Sequence, residues 1–446
     1  MSRKYFGTDG VRGLVGKFPI TVDFALQLGW AAGKALFKPG KKNIAMVGKD
    51  SRQSGDMLEA ALIAGLTSAG VDVVSLGILP TPGIAEQVKK NEATMGIIIS
   101  ASHNPFYDNG IKFFSSSAEK LSDSEEELIE SYIDKELEIV SAENIGTVNQ
   151  NIEASNSYAD FCLSKINKAL VNSKLKVVVD CANGATSTVA PIVFNSLNLN
   201  AIFINHEPNG LNINLKSGAV HLESLQKKVL DETADFGIAY DGDGDRIMLI
   251  NSEGKVLDGD DILYIIADFH QQQGHLDGGV VGTLMTNFGL EKSFESKNIP
   301  FVRSNVGDRY VMELLKEKKW RIGGESSGHI ICLDANTTGD GIIASLKILE
   351  IVSITGMSLN KLLQGVKKTP QIMINVPVKN KIKPTDLDKL KPDILKIENL
   401  LAKSGRVLLR PSGTEPVLRV MVEAINKIDA RNYANILADV VKKLFS

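Results

Sequence analysis

Three aspartates, Asp241, Asp243 and Asp245, stand at alternate positions in the run AYDGDGDRIMLI, separated by glycines and flanked by apolar residues. Carboxylates crowded into so tight a turn repel one another, and a bound divalent cation relieves that repulsion. An all-oxygen donor set suits a hard ion such as Mg²⁺, Mn²⁺ or Ca²⁺. An EF-hand would need Gly at the sixth loop position and Glu at the twelfth. Counting from Asp241, Arg246 and Ser252 stand there instead. An aspartyl-phosphatase loop would follow its paired aspartates with a hydroxyl residue, where this chain has Gly244 and Asp245. Three protein ligands leave positions that phosphate oxygens can fill, which is how Mg²⁺ is commonly held. The plainer alternative is a solvated Asp-Gly turn in a hairpin.

Three further loops carry polar side chains beside small residues. In ISASHNPFYDNGIKFF, Ser102 follows the apolar run MGIII. Ser, Asn-Pro and Asp-Asn-Gly are all turn chemistry, so an ordinary surface turn is one reading. A hydrolase nucleophile is another, but there is no GxSxG elbow, and side chains one position apart seldom face each other as a Ser102–His103 pair would have to. A serine that carries phosphate needs a cation and positive side chains rather than a triad; the three aspartates offer the metal seat, and Arg12, Lys112 and Arg246 the charge. In LLRPSGTEPVLRV, Arg410, Ser412, Gly413, Thr414 and Arg419 surround a glycine turn, a good anion cradle unless the arginines are ordinary surface ion-pair members. In GGESSGHI, Glu325, Ser327 and His329 mix donors and acceptors that suit a sugar's vicinal hydroxyls, although a satisfied histidine at a strand end explains them as well.

The segments that must position these loops share one rhythm. NIAMVGKDSRQSGDMLEAALIAGLTSAGVDVVSLG, KLKVVVDCANGATSTVAPIVFNSLNLNAIFI and GGVVGTLMTNFGLEKSFESKNIPFVRS each read as strand, small-residue loop, amphipathic helix and strand. Strands alternating with helices in this way predict βαβ units and mostly parallel sheets. Each module is followed by another apolar strand running into Ser102, Asp241 or Glu325. Ligand loops sit at the carboxyl ends of such strands, so the three loops are expected to wall one cleft. A charged surface helix is expected over 122–139, and VPVKNKIKPTDLDKLKP (376–392) leads into a fourth unit with strands GRVLLR and VLRVMVEA and a helix from about 430 to 445. The expectation is an α/β protein of three similar mixed α/β domains, over 1–153, 154–256 and 257–370, plus a smaller C-terminal α+β domain over 371–446, around a central cleft.

Composition narrows the partners. With 446 residues and 43% hydrophobic content the chain can bury several cores, and 50 Lys+Arg against 53 Asp+Glu leave a net charge of -3. That balance gives no basic footprint for nucleic acid, so small molecules are the expected partners. Cys162, Cys181 and Cys332 are widely spaced without a CxxC, which suggests neither a disulfide framework nor a thiolate zinc site and fits a reducing cytoplasm. No apolar h-region follows the N-terminus and no run approaches 18 uninterrupted apolar residues, so neither secretion nor membrane insertion is expected.

Together, FGTDGVRG, ISASHNPFYDNGIKFF, DGDGDR, GGESSGH and RPSGTEPVLRV, in this order and spanning essentially the whole chain, resemble the α-D-phosphohexomutase superfamily. The FGTDGVRG opening and the NPFYDNGIKFF continuation favour its glucosamine branch over its mannose and glucose branch; Ser326, between Glu325 and Ser327, departs from the Asn or Gln often found in the glucosamine branch. The resemblance implies a phosphoserine at Ser102, whose phosphate completes a Mg²⁺ site with Asp241, Asp243 and Asp245. It implies hydroxyl reading by Glu325 and Ser327, a clamp for the non-reacting phosphate at Arg410, Ser412, Gly413, Thr414 and Arg419, and Arg12, Lys112 and His329 near the transferring group, with His103 beside the serine and Arg246 adding charge. Lys112, His329 and His103 are the candidates for the base. The implied reaction interconverts glucosamine 6-phosphate and glucosamine 1-phosphate through a 1,6-bisphosphate, primed by glucosamine or glucose 1,6-bisphosphate, and supplies UDP-N-acetylglucosamine for cell-envelope precursors. A homodimer and a mobile last domain are implied likewise. Action on mannose or glucose phosphates, a metal-dependent phosphatase and a non-catalytic sugar-phosphate binder are the rivals.

Overall fold

A computed structural model of the chain describes residues 4–7, 9–380, 382, 384–411 and 416–445. They divide into two compact units, Met1–Val281 with Val306–Leu363, and Gly282–Asn305 with Gln364–Ser446.

The first unit opens with strands β1 (Val11–Leu14), β2 (Ile44–Lys49), β3 (Asp72–Ile78), β4 (Met95–Ile99), β5 (Asp108–Ser115) and β6 (Val148–Gln150), in the sheet order β1-β5-β4-β2-β3-β6. β2 runs parallel to β3 and β4, and helices Ser54–Ser68 and Thr81–Lys90 supply the crossovers. All five residues of β4, MGIII, are buried. Successive side chains of a strand point to opposite faces, so this unbroken apolar run means that both faces are covered.

A second sheet contains β7 (Lys176–Asp180), β8 (Asn200–Ile204), β9 (Phe236–Tyr240), β10 (Ile247–Asn251) and β11 (Val256–Leu257), in the order β11-β10-β9-β7-β8. Next come β12 (Val280–Thr283), β13 (Phe301–Ser304), β14 (Ile322–Gly324) and β15 (Ile330–Cys332). β12 pairs in parallel with β14 at Val280 and Val281.

The sheets are less parallel than the sequence rhythm predicts. β4 returns as antiparallel β5, β9 as antiparallel β10, and β14 as antiparallel β15. A parallel return needs a crossover of about a dozen residues or more, and the loops that carry Ser102, Asp241 and Glu325 are too short for one. Each chemistry-bearing loop therefore occupies the same topological position, at the carboxyl end of a buried strand and the start of its antiparallel neighbour.

The charged helix expected over 122–139 covers Asp123–Ile133, opened by a capping box between Ser122 and Glu125. It stops early because side chains of the helix Val22–Ala35 take the next backbone carbonyls. Gln27 Nε2 donates to Ile133 O at 3.0 Å and Lys135 O at 2.8 Å, and Trp30 Nε1 donates to Glu138 O at 2.9 Å.

In the second unit β16 (Gln371–Pro377), β17 (Gly405–Pro411) and β18 (Val417–Ala424) form an antiparallel sheet, β16-β18-β17. Helices Lys391–Leu401 and Lys427–Phe445 pack with it through Ile397, Leu401, Ala434 and Leu437 against Leu418 and Val420. The segment Gly282–Asn305 belongs here because Arg406 donates to Leu284 O and Thr286 O, both at 2.8 Å, while Glu423 accepts from Phe288 N at 3.1 Å. Among the described residues no helix is long and apolar enough to cross a membrane. All three cysteines are reduced and buried.

Candidate active site

Ser102 is not on the surface: it is 1% exposed. Its backbone is left-handed, with φ of 53°. That conformation costs a non-glycine residue about 1 kcal/mol or more and needs surrounding structure to hold it. Its Oγ donates to Asp241 Oδ2 at 2.6 Å and lies 3.3 Å from His103 Nδ1. Adjacent side chains were expected not to face each other, and here they do, in a loop turned at Ser102 by its left-handed backbone. Burial, then the charges of Arg246 and Arg12, push the His103 imidazolium down to about 4, leaving the ring neutral near pH 7.

The aspartate loop meets the serine loop directly. Asp241, Asp243 and Asp245 are buried, and one carboxylate oxygen of each falls within 4.8 Å of the others. Among the described residues Asp243 Oδ1 and Asp245 Oδ1 have no hydrogen-bond partner. Burial, then the Asp245 and Asp243 charges, push the Asp241 carboxyl well above the usual range. Two orphaned oxygens within a cluster of three buried carboxylates fit a hard divalent cation, which would offset the desolvation that Lys112, Thr81 and the Arg246 amide meet only in part.

Gly242 fixes the spacing of the two loops: a Cβ there would lie 2.5 Å from Ser102 O and 2.8 Å from Asn214 Nδ2. Thr81 secures the far side of the triad, donating through Oγ1 to Asp243 Oδ2 at 2.8 Å and through its amide to Asp243 O at 2.9 Å.

Cationic side chains surround this pair of loops. Lys112, on β5, places Nζ 2.7 Å from Asp243 Oδ2 and 3.3 Å from Asp9 Oδ2. Burial alone would lower its ammonium, but Asp243 and then Asp9 outweigh that and hold it well above its ordinary value. Arg12, on β1, pairs with Asp9. Arg246 donates its amide to Asp241 Oδ1 at 3.1 Å and brings Nε to 3.9 Å from Asp245. Lys120 bridges Asp9 and Asp308, each at 2.6 Å.

His329 places Nδ1 3.6 Å from Asp245 and Nε2 3.4 Å from Asp308. Glu325 accepts from Gly307 N at 3.0 Å, and Ser327 is exposed at its loop tip. Beside His329 a cavity of about 310 Å³ is lined by Lys120, Asp308, Arg309, Lys316 and Thr337 among others.

The first unit thus brings together Ser102, His103, Arg12, Lys112, Arg246, His329 and the three aspartates, with Glu325 and Ser327 on the loop that leads to His329. In the second unit Arg410 on β17 and Arg419 on β18 are directly opposed across the strands. Facing like charges repel, and a bound anion would relieve them. Ser412, Gly413 and Thr414 lie outside the described residues.

Sequence reasoning passed over Asp9, Asp50, Arg52, Thr81, Ser100, Lys120, Asn214 and Asp308. One signal pointed to two of them: GKDSR, at the carboxyl end of β2, occupies the same kind of strand-end loop as the residues that were singled out. The remainder become visible only as partners in space.

A hydroxyl on a carboxylate triad, beside the buried Lys112 ammonium and the part-buried guanidinium groups of Arg12 and Arg246 on a repeated α/β frame, suits phosphoryl transfer. Family models of the phosphoglucomutase/phosphomannomutase type match the chain in sequence. The alpha/beta/alpha domain I covers residues 3–139, domain II 156–254, domain III 258–369 and the C-terminal domain 373–440. A phosphoglucosamine mutase of Aeromonas salmonicida is 50% identical over 445 residues, covering 100% of both chains. The chain belongs to the α-D-phosphohexomutases, in the phosphoglucosamine mutase family. Two solved structures share the fold. A phosphoglucomutase/phosphomannomutase family protein of Burkholderia thailandensis superposes with a TM-score of 0.83 at 22% identity, covering 100% of this chain and 98% of that one. The N-acetylphosphoglucosamine mutase of Aspergillus fumigatus, in complex with GlcNAc-6P and magnesium, gives 0.72 at 18% identity, covering 99% and 96%.

Proposed function

We propose that this protein is a phosphoglucosamine mutase, interconverting glucosamine 6-phosphate and glucosamine 1-phosphate by passing a phosphoryl group between Ser102 Oγ and the sugar. The observation that carries the reading is the contact of Ser102 Oγ with Asp241 at 2.6 Å, inside a buried carboxylate triad flanked by Lys112 and Arg246. The name of the 50% identical relatives supports the choice of sugar.

In the forward direction the phosphoryl group leaves Ser102 for O1 of glucosamine 6-phosphate, giving a 1,6-bisphosphate. The sugar turns end over end, and its 6-phosphoryl group returns to Ser102. A Mg²⁺ held by Asp241, Asp243 and Asp245 would supply charge neutralisation at the transferring group. Lys112, paired with Asp243 and Asp9, adds positive charge beside the transferring group. When Ser102 accepts a phosphoryl group its proton must leave, and Asp241 Oδ2 and the neutral His103 Nδ1 are the acceptors within reach. Glu325, Ser327 and His329 would read the sugar, and Arg410 and Arg419, with Ser412, Gly413 and Thr414, the distal phosphate. Glucose or glucosamine 1,6-bisphosphate would prime the serine. A cytoplasmic homodimer belongs to the same reading, and light scattering tests the oligomeric state.

The test assays the purified protein with Mg²⁺ and trace glucose 1,6-bisphosphate on glucosamine, glucose and mannose 6-phosphates, beside mass mapping of phosphate on Ser102. Fastest isomerisation of the amino sugar with phosphorylated Ser102 is expected. Faster turnover of mannose or glucose phosphate would move the protein to the neighbouring branch. Steady release of inorganic phosphate without isomer would make it a phosphatase.

A further inference from the structure

Ser102 Oγ must serve twice in each turnover, first as leaving group and then as nucleophile, while the sugar turns between the two transfers. Of the reacting partners, only the serine can stay in place. A misplacement of about 1 Å costs roughly a hundredfold in such a step, so something must hold a strained loop still.

The loop's own contacts show what does so. Arg52 is 2% exposed, too buried to touch a substrate. Its guanidinium collects the carbonyls of the serine loop: Nη2 donates to Ser102 O at 3.0 Å and Asn104 O at 2.8 Å, and Nη1 to Asp108 O at 3.0 Å and to Pro105 O. Its Nε is neutralised by Asp50 Oδ2 at 2.8 Å. That same oxygen accepts from Ser100 Oγ at 2.5 Å, and Ser100 Oγ in turn accepts from Ser102 N at 2.9 Å. From the loop after β8 Asn214 Nδ2 donates to Ser102 O at 2.9 Å and Asn104 O at 3.0 Å. Both sides of Ser102 in the backbone are therefore tied, and its carbonyl is held by two domains at once.

We infer that Arg52 and Asn214 are positioning residues for phosphoryl transfer: together they fix Ser102 in its left-handed conformation so that the phosphoserine reacts with sugar hydroxyls and not with water. The inference rests on the reading of Ser102 as a phosphate carrier. If the loop loosens, water competes: its oxygen bonds to phosphorus, the P–Oγ bond breaks, and Ser102 Oγ leaves with a proton. The telling quantity is the ratio of inorganic phosphate released to isomer formed, which does not change when part of a preparation is merely unfolded.

Two variants test this. Arg52→Lys keeps the charge against Asp50 but lacks the planar fork. Asn214→Gly removes the amide donor while suiting a position whose φ is 57°. We expect the phosphate-to-isomer ratio to rise roughly tenfold or more in each, and turnover per phosphorylated serine, counted by intact mass, to fall by a similar factor with KM little changed. Ratio and turnover per phosphoserine both within twofold of the parent would overturn the inference, and Asn214→Gly alone decides if Arg52→Lys does not fold. A parent protein that does not isomerise glucosamine phosphate sinks the proposed function instead. The same comparison is then made as loss of phosphate to water from protein phosphorylated with glucose 1,6-bisphosphate: faster loss in the variants supports the positioning role, and equal loss refutes it.

Discussion

Arg52 and Arg406 sit in different units and are built alike. Each guanidinium, buried at Arg52 and part-buried at Arg406, is neutralised by a carboxylate, Asp50 or Glu423, and each spends its remaining donors on backbone carbonyls of an irregular segment. Arg52 fastens the loop that carries Ser102, whereas Arg406 fastens Leu284 and Thr286 to the C-terminal sheet; within that segment Arg303 donates to Thr283 O at 2.9 Å and Thr286 O at 2.6 Å. Their surroundings differ too. The Arg52 side chain is 0% exposed and that of Arg406 16%; burial, with Arg303 nearby, holds Arg406 below its ordinary value. The same device therefore serves chemistry in one unit and assembly in the other, and what distinguishes the two is the chemistry of the fastened segment.

The sharpest way to break this contrast is Ser102→Ala. We expect isomerisation to fall by about a thousandfold or more, to background. Stability should shift by only about 1 kcal/mol, since one hydroxyl hydrogen bond is lost; retained turnover would make the Ser102 loop as structural as the one held by Arg406. Arg406→Ala should act in the opposite sense, costing about 3 kcal/mol in urea unfolding because buried Glu423 is left unpaired, while the Ser102 phosphate-to-isomer ratio stays at the parent value. Asp243→Asn should lower turnover about a hundredfold and abolish the rise in melting temperature that Mg²⁺ gives the parent; an equal Mg²⁺ effect in the variant would remove the metal assignment. Arg410→Ala should raise KM for the sugar phosphate about tenfold with kcat changed only a few-fold, as expected when one charge-assisted contact is lost.

The smallest effect concerns a buried carboxylate bound by neutral donors. Asp340 accepts from Ile343 N and Asn336 Nδ2, both at 2.9 Å, and burial pushes its carboxyl up to about 6. A folded value above the unfolded one, about 3.9, means that the folded state retains a proton the unfolded state gives up. The stabilisation is complete below about pH 3.9 and is lost as the pH rises through 6. Asp340→Asn should flatten this part of the urea midpoint's fall between pH 4 and 6, and an unchanged slope would assign it elsewhere.

Much of the site was legible because the key side chains cluster locally. Asp241, Asp243 and Asp245 lie within five residues, and the runs around Ser102 and Arg410 each carry their turn chemistry in one stretch. The strand-end rule placed all three loops of the first unit at the correct ends of β4, β9 and β14. Asn214 was not legible, because its partner lies 112 positions away and an isolated Asn in a loop looks like any solvated one; for Arg52 the strand-end run GKDSR marked the place, but not the carbonyl partner 50 positions on. The Ser102–His103 contact was missed for a different reason: ordinary backbone geometry separates neighbours, and nothing in the residue types announces a left-handed serine. The sheets came out more mixed than expected because short loops, not the βαβ rhythm, decide the direction of the returning strand.

Gly242 has a consequence for how the gap between nucleophile and metal seat can be tuned. The Ser102 carbonyl rests on a bare Cα, so the gauge of that gap is set by main chain against main chain. A side chain at 242 could only act as a shim, widening the gap in steps the size of a methyl group. The fine adjustment available in most active sites by changing a rotamer is therefore absent at this joint, and its tolerance is that of the peptide backbone itself.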